Sequence, residues 1–360
     1  MNRTPTTPRE AADFIAPEAL SAKRKVRRGL ERALFYSGAA DAFVRATEVA
    51  GAVIFLWHSV PSDEEARTID PRNRISRELF LAQLRLLERR RRVISLEDLT
   101  EHLLGGTRPP AGSVVLTFDD GYRDNLDFVA PALASFGFPA TLYLPTGLNT
   151  RGETPWADQL FAIFTARERS TLQLGELGLG RFQLEDPRDA RAAHSALAEA
   201  LFAADQARRE ALLQATKAQL APSLVMPRHT LMWDELRALK RRYPSFTLGV
   251  HTVHHLDLTC QSDATVREEL SRCIEDFERE VGEPPLHFAY PYNRHDERTR
   301  RIVAEFPLQT AVASGPESLI TSASDRLALC RLDVPRSLGL FGFWSSGAHR
   351  ALALRRAGQA

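Results

Sequence analysis

The stretch HTVHHLDLT, His251 to Thr259, places His251, His254 and His255 directly behind the apolar run FTLGV. Crowded imidazoles suit a metal, and histidine with carboxylate is a ligand set that zinc uses while keeping positions open for water. On a helical turn residues three and four apart are neighbours. His251 with His255 and His251 with His254 are therefore both admissible pairs, and the spacing does not choose between them. A second candidate is the adjacent pair Asp119 and Asp120 in LTFDDGY. Two crowded carboxylates repel, and a nearby cation relieves the repulsion, leaving one as ligand and the other free as a base. Along a regular strand they would point to opposite faces, so joint action needs a curl that Gly121 permits. An Asx-type turn with one aspartate capping the next helix would also account for the pair.

Both candidates stand where apolar runs end, as do His58 after VIFLW and Tyr292 after HFAYP. VIFLWHSV, SVVLTF, ATLYLP, FTLGV, LHFAYPY, TAVAS and LALCRLDV read as strands. Between them ISRELFLAQLRLLERR repeats Leu79, Phe80, Leu84 and Leu87 at helical spacing, and SLEDLTEHLL carries Ser95 as an N-cap. Asp124 to Phe136, DELRALKRR, VREELSRCIEDFEREV and ERTRRIVAEF are further helices. Such alternation signals βα units around a parallel sheet, open or closed into a barrel. In a barrel the carboxyl ends of all strands share one face, so these distant residues would converge there.

One stretch, from about 150 to 229, breaks the alternation. It holds the helical AHSALAEALFAADQARREALLQATKAQL and a hairpin-like LQLGELGLGRFQL. The G-L-G within it lacks the third glycine of a nucleotide fingerprint. The stretch reads as an insertion covering one end of the sheet. Residues 1–50 read as a polar helical extension, 51–340 as the main domain and 341–360 as a tail.

The 47 Lys plus Arg against 46 Asp plus Glu, a net charge of +1, give no argument for binding nucleic acid. The longest apolar run, AGAVIFLW, is far shorter than the roughly 20 residues of a membrane span. MNRTPTTPREAADF lacks an apolar core followed by a small-residue cleavage site, and Cys260, Cys273 and Cys330 form no C-x-x-C. A reduced, cytoplasmic chain is expected. The basic KRKVRR, Lys23 to Arg28, suits a place peripheral to the inner membrane. Serine-hydrolase and zinc-protease chemistry find no support, since G-x-S-x-G and H-E-x-x-H are both missing from the sequence.

TFDDGY, GVHTVHHLDLT and FAYPYN, in this order and in these strand contexts, resemble three motifs of the NodB-like polysaccharide deacetylases of carbohydrate esterase family four. The resemblance runs from about Val53 to Arg336. It implies a distorted α/β barrel with fewer than eight strands, and metal-dependent hydrolysis of N-acetyl groups on sugars of a polysaccharide or glycan precursor. By this match Asp119 is the general base, while Asp120, His251 and His255 hold a divalent ion. Zn²⁺ is expected, with Co²⁺, Mn²⁺ or Ni²⁺ able to use the same ligands. Thr252 braces the histidine loop, Tyr292 offers its backbone N–H to the oxyanion, and His254 faces away.

This sequence departs from the family pattern at three points. An arginine that orients the catalytic aspartate is replaced by Ala289, a glycine by Asn293, and RLALCRLDVPRSLGL lacks the histidine that many members use as general acid. First and last strands of a barrel are neighbours, so His58 is expected to act as that acid, and Arg336 in DVPR to orient Asp119. Trp57, Trp156, Phe288 and Tyr292 are candidates for aromatic walls around a sugar, although aromatics are more often core. Two other readings are carried: the same site cleaving another acyl or formyl amide, or an ester, on a lipid- or nucleotide-linked sugar, and a catalytically silent glycan-binding protein.

Overall fold

In the computed structural model, residues 21–47, 51–315 and 318–350 are described. Among these described residues ten strands form: β1 Ala52–Trp57, β2 Arg92–Val93, β3 Ser113–Asp119, β4 Ala140–Leu144, β5 Thr171–Gln173, β6 Arg181–Gln183, β7 Phe246–Val250, β8 His287–Ala289, β9 Thr310–Ala313 and β10 Leu329–Asp333. Seven of them, β1, β3, β4, β7, β8, β9 and β10, pair in parallel around a closed ring. The short β2 fills the lower edge of β3 beneath β4. The ring closes where Ile54 of β1 meets Arg331 of β10 on one side and Val115 of β3 on the other. This is the barrel of fewer than eight strands that the resemblance implied, with the first and last strands side by side.

Strand alternation sorts the side chains. Ala52, Ile54, Val115, Tyr143, Ala289, Val312 and Leu329 cluster inside the barrel. Val53, Phe55, Trp57, Val114, Leu116, Phe118, Leu142 and Val250 join the larger core that the surrounding helices cover. The same parity carries His58, Thr117, Asp119, Arg331 and His251 toward the barrel axis. At Gly249, between two inward positions of β7, a Cβ would lie 2.8 Å from the Tyr143 ring, so the interior admits only glycine there. Trp57 and Phe288 are core residues, with Trp57 Nε1 donating to Gln83 Oε1 at 3.1 Å.

The expected helices form, and Ser95 caps Leu96–Leu104 in a reciprocal box with Asp98. The segment expected as one helix from Asp124 opens instead with a π-wound turn, Asn125–Val129, before regular helix resumes at Ala130–Phe136. The insertion contains helices Trp156–Thr165, Pro187–Ala203 and Gln206–Leu220 and the antiparallel β5–β6 hairpin, around an apolar cluster of its own. Helix Leu338–Ser345 spans the boundary expected at 341, and its Phe341 is buried 4.8 Å from Phe55. Helix Ala22–Tyr36 packs on it, with Glu31 and Phe35 buried and Val26 and Leu30 exposed. Among the described residues no helix is long and apolar enough to cross a membrane.

Candidate active site

The loops at the carboxyl ends of β1, β3, β7 and β8 bring the candidates together. Asp119 is the last residue of β3, and the chain turns at once: Asp120 takes φ +68° and Gly121 φ +61°. The curl therefore begins at Asp120 itself and lets the adjacent carboxylates act at one centre. His251 follows β7, its main-chain N–H donating to the Leu144 carbonyl at 2.9 Å. Thr252 and His255 also take positive φ, +64° and +52°. The Thr252 hydroxyl accepts from the His255 N–H at 3.0 Å, a brace within the histidine loop.

Ligand atoms of Asp120, His251 and His255 all lie within 4.8 Å of one another. The His251 Nδ1–H donates to the Ala289 carbonyl at 2.7 Å, which leaves its Nε2 facing His255 Nε2 at 3.1 Å. Burial lowers both imidazoles, His251 to about 4 and His255 well below its ordinary value, so each is neutral and able to ligate near pH 7. Asp120 Oδ1 lies 3.5 Å from His255 Nε2, buried and without a hydrogen-bond partner. Burial, then the neighbouring Asp119 and Asp158, push the Asp120 carboxyl well above its ordinary range, a load that a bound cation would reverse. An orphaned buried carboxylate oxygen facing two neutral imidazoles fits a divalent ion. His254 turns the other way, its Nδ1 2.6 Å from Glu269 Oε1, while Glu269 Oε2 accepts from the Val253 and His254 N–H groups.

Asp119 and its neighbour Arg331 are both buried, with the guanidinium forked onto the carboxylate: Nη1 to Oδ1 at 2.7 Å and Nη2 to Oδ2 at 2.5 Å. Burial alone would raise the Asp119 carboxyl, but Arg331 and His251 outweigh it and hold it below the usual range. Arg331 Nε also donates to Asn293 Oδ1 at 2.7 Å. Arg336, expected in this role, does not reach Asp119. It lies past the end of β10, exposed, and donates to the Arg74 carbonyl at 3.2 Å. The reason is strand parity: Leu329 and Arg331 face the barrel axis, whereas Arg336 belongs to the loop beyond.

His58 lines the same cavity as Asp119 and the ligand trio. Burial lowers its pKa, with Asp119 and Asp333 pulling the other way. Its segment is fixed from behind, since Asn125 donates to the His58 carbonyl at 3.0 Å and Ser59 bonds the buried Asp124. Tyr292 sits in the turn after β8 with φ +56°, as does Asn293. The Tyr292 hydroxyl accepts from Trp156 Nε1 at 2.8 Å, and its ring stands edge-on to His255 with centroids 4.5 Å apart. Of the four aromatics considered, Trp156 and Tyr292 line the cavity.

Three contributors lay outside the motifs: Arg331, Glu269 and Arg209, whose guanidinium donates to the His254 carbonyl at 2.9 Å. Each carried a sequence signal, a charge set among apolar positions of a strand or a helix face. Glu269 shares the buried face of its helix with Val266, Leu270 and Cys273, and Arg209 sits with Leu212 and Leu213.

The polysaccharide deacetylase family model matches residues 197–311, a span that holds His251, His255 and Tyr292. The poly-beta-1,6-N-acetyl-D-glucosamine N-deacetylase of Escherichia coli K12 is 39% identical over 99 residues, 27% of this chain and 14% of that protein. The chain thus matches about one seventh of that relative's length. Among solved structures, the Streptococcus pyogenes deacetylase PplD in complex with acetate superposes with TM-score 0.53 at 17% identity, covering 82% of this chain and 97% of the other. IcaB from Ammonifex degensii gives TM-score 0.53 at 16% identity, with 83% and 98% covered. These two share the fold, and the polysaccharide deacetylase family match over residues 197–311 takes in the histidine loop and the Pro-Tyr turn.

Proposed function

We propose that the protein is a metal-dependent hydrolase that removes N-acetyl groups from an N-acetylated glycan or glycan precursor. The observation that carries this reading is the pairing of an ionised, arginine-held Asp119 with the convergent Asp120, His251 and His255 in one cavity. A divalent ion held by those three residues supplies Lewis acidity, favouring ionisation of water and polarising a carbonyl oxygen.

This chain's own residues perform the rest. Asp119, kept ionised and aimed by Arg331, accepts the proton of the attacking water. The Tyr292 main-chain N–H, in the turn after β8, donates to the oxyanion as the acetamide carbon becomes tetrahedral. His58, across the cavity, carries a proton to the nitrogen as the C–N bond breaks, because an unprotonated amide anion is a prohibitive leaving group. Acetate and a free amino sugar are the products.

The relative from Escherichia coli is named for N-deacetylation of poly-beta-1,6-N-acetyl-D-glucosamine, which supports an amide rather than an ester substrate. Acetate release from N-acetylglucosamine oligomers, abolished by a chelator and restored by Zn²⁺, tests the reading. Asp119→Asn is expected to bind metal stoichiometrically and release no acetate. Unchanged release with metal fully removed would overturn the reading. A membrane partner is inferred from helix Ala22–Tyr36, where Lys23–Arg28 flank the exposed Val26 and Leu30, a composition suited to an anionic lipid surface.

A further inference from the structure

The insertion has an apolar cluster of its own, in which Leu160, Phe164, Leu197, Leu201 and Leu212 are buried together. Its cohesion is thus separate from that of the barrel, and its seating against the site needs other contacts. Three of its side chains make them. Trp156 Nε1 donates to the Tyr292 hydroxyl at 2.8 Å, the Phe202 and Tyr292 rings meet with centroids 4.3 Å apart, and Arg209 touches both the histidine loop and Tyr292.

Arg209 differs from the other two in carrying a charge. It is only 3% exposed, yet among the described residues no carboxylate comes within salt-bridge distance of its guanidinium. A buried cation is costly unless its donors are bonded, and here they are spent on neutral oxygens. Nε donates to the Leu201 carbonyl at 3.2 Å, Nη1 to the His254 and His255 carbonyls at 2.9 and 3.4 Å, and Nη2 to the Tyr292 hydroxyl at 3.4 Å. The first bond fixes the guanidinium within the insertion, and the others leave it for the site.

Four successive carbonyls of the histidine loop are bonded, each to a partner outside the loop. Those of Thr252 and Val253 accept from the Thr146 and Gly147 N–H groups, both at 3.0 Å. Those of His254 and His255 accept from Arg209. The barrel thus holds the carbonyls of the first half of the loop and the insertion those of the second, the half in which His255 sits at φ +52°. Turning that peptide would carry the His255 imidazole away from Asp120 and His251, with which it converges.

We propose that Arg209 is a positioning residue for the metal centre, through which seating of the insertion and binding of a divalent ion at Asp120, His251 and His255 strengthen each other. The proposal rests on the metal-dependent reading above. Removing a group that orients a metal ligand typically costs about 10- to 100-fold in affinity, and a coupling between two binding events acts equally in both directions.

The metal-free full chain is titrated with Zn²⁺ against a competing chromogenic chelator. Arg209→Met is expected to bind Zn²⁺ about 10- to 100-fold more weakly than the unmutated chain. Arg209→Lys keeps the charge without the planar fork and is also expected to bind more weakly. Arg208→Met, on the same helix but exposed and bonded to the Leu177 carbonyl, is expected to match the unmutated chain. An arginine that merely stabilised the insertion would lower the urea midpoint and leave Zn²⁺ affinity unchanged. Reciprocity adds a measurement that needs no variant: Zn²⁺ is expected to slow amide hydrogen exchange across Gln206–Leu220 as well as in the histidine loop, and in Arg209→Met the slowing across that helix is expected to vanish. Unchanged Zn²⁺ affinity in a folded Arg209→Met, or no slowing across Gln206–Leu220 in the unmutated chain, overturns the coupling and leaves the deacetylase reading standing. Where Arg209→Met does not fold, exchange in the unmutated chain decides alone. An unmutated chain that binds no Zn²⁺ and releases no acetate overturns the deacetylase reading and this inference with it.

Discussion

Replacing Arg331 with methionine tests the hub of the site, because it removes the guanidinium while keeping most of the side-chain volume. Both partners of the pair are out of water, the Arg331 side chain 0% and the Asp119 side chain 3% exposed, and two parallel hydrogen bonds join them. Removing one partner of a buried pair leaves the other charge uncompensated, at a cost of about 3–5 kcal/mol. Arg331 also serves Asn293 Oδ1, which would lose its donor. That total is a large share of the roughly 5–15 kcal/mol by which a typical domain is stable, so Arg331→Met alone is expected to unfold at much lower urea. Arg331→Met with Asp119→Asn removes the stranded charge and is expected to recover most of the loss, giving a large coupling energy in the double-mutant cycle. Arg336→Met, at an exposed position with one bond to a main-chain carbonyl, is expected to change stability by no more than about 0.5 kcal/mol. Urea titration of these three variants and of Asp119→Asn, which completes the cycle, read by circular dichroism, gives these differences. Arg331→Met matching wild type in urea midpoint, or Arg336→Met showing the larger loss, would refute the assignment of Arg331 to Asp119.

His58→Ala is expected to lower kcat by about 10²- to 10⁴-fold, the range for a lost general acid, with metal content unchanged; unchanged turnover removes His58 from the mechanism. Burial pushes Asp158 up to about 7 from its ordinary 3.8. A carboxyl raised by folding keeps its proton where the unfolded chain has lost it, so its stabilisation is present at low pH and lost as pH rises through about 7. At 1.36 kcal/mol per pH unit the difference corresponds to roughly 4 kcal/mol. Asp158→Asn, uncharged throughout, should show a flatter fall in unfolding free energy between pH 4 and about 7 than wild type, and parallel curves would be inconsistent with a raised Asp158. Replacing Lys23, Arg24 and Lys25 with glutamate is expected to abolish sedimentation with anionic vesicles, since each basic residue near such a surface contributes about 1 kcal/mol; binding that survives the reversal excludes this helix as the contact.

The proposed ligand set is legible because its signals are local. Adjacent carboxylates at a strand end and histidines at helical spacing can be read within a few residues, and the barrel follows from alternating runs. The choice between His254 and His255 was not settled by spacing, because it depends on Glu269, which draws His254 away from a helix that follows the loop. Arg331 was passed over for Arg336 although its position was informative: an arginine inside the strand LCRLD is rarely buried without a partner. What spacing could not supply was the direction of each side chain, which parity and ring closure fix only once strand order is known. The π-wound turn at Asn125–Val129 is invisible to helical periodicity for a related reason, since one wider turn scarcely alters the apolar repeat.

Backbone conformation gives the site a further property that residue types do not disclose. The non-glycine residues with positive φ among those described are Asp120, Ala221, Thr252, His255, Tyr292 and Asn293, and only Ala221 stands away from the site. Left-handed conformations cost about 1–3 kcal/mol each at such residues, with asparagine at the low end. Five of them together approach the stability of a whole domain, so surrounding bonds must determine each one. Those bonds are identifiable: the Thr252 hydroxyl on the His255 N–H, Glu269 on two consecutive N–H groups of the histidine loop, and Arg331 on Asn293. Arg331 therefore links Asp119, the proposed base, to the turn that carries Tyr292, and Arg209 links the insertion to the loop that carries His255. The groups proposed to bind metal, take the proton and meet the oxyanion are set by folding rather than by substrate, which is the condition under which oriented dipoles lower a barrier without reorganising during the reaction.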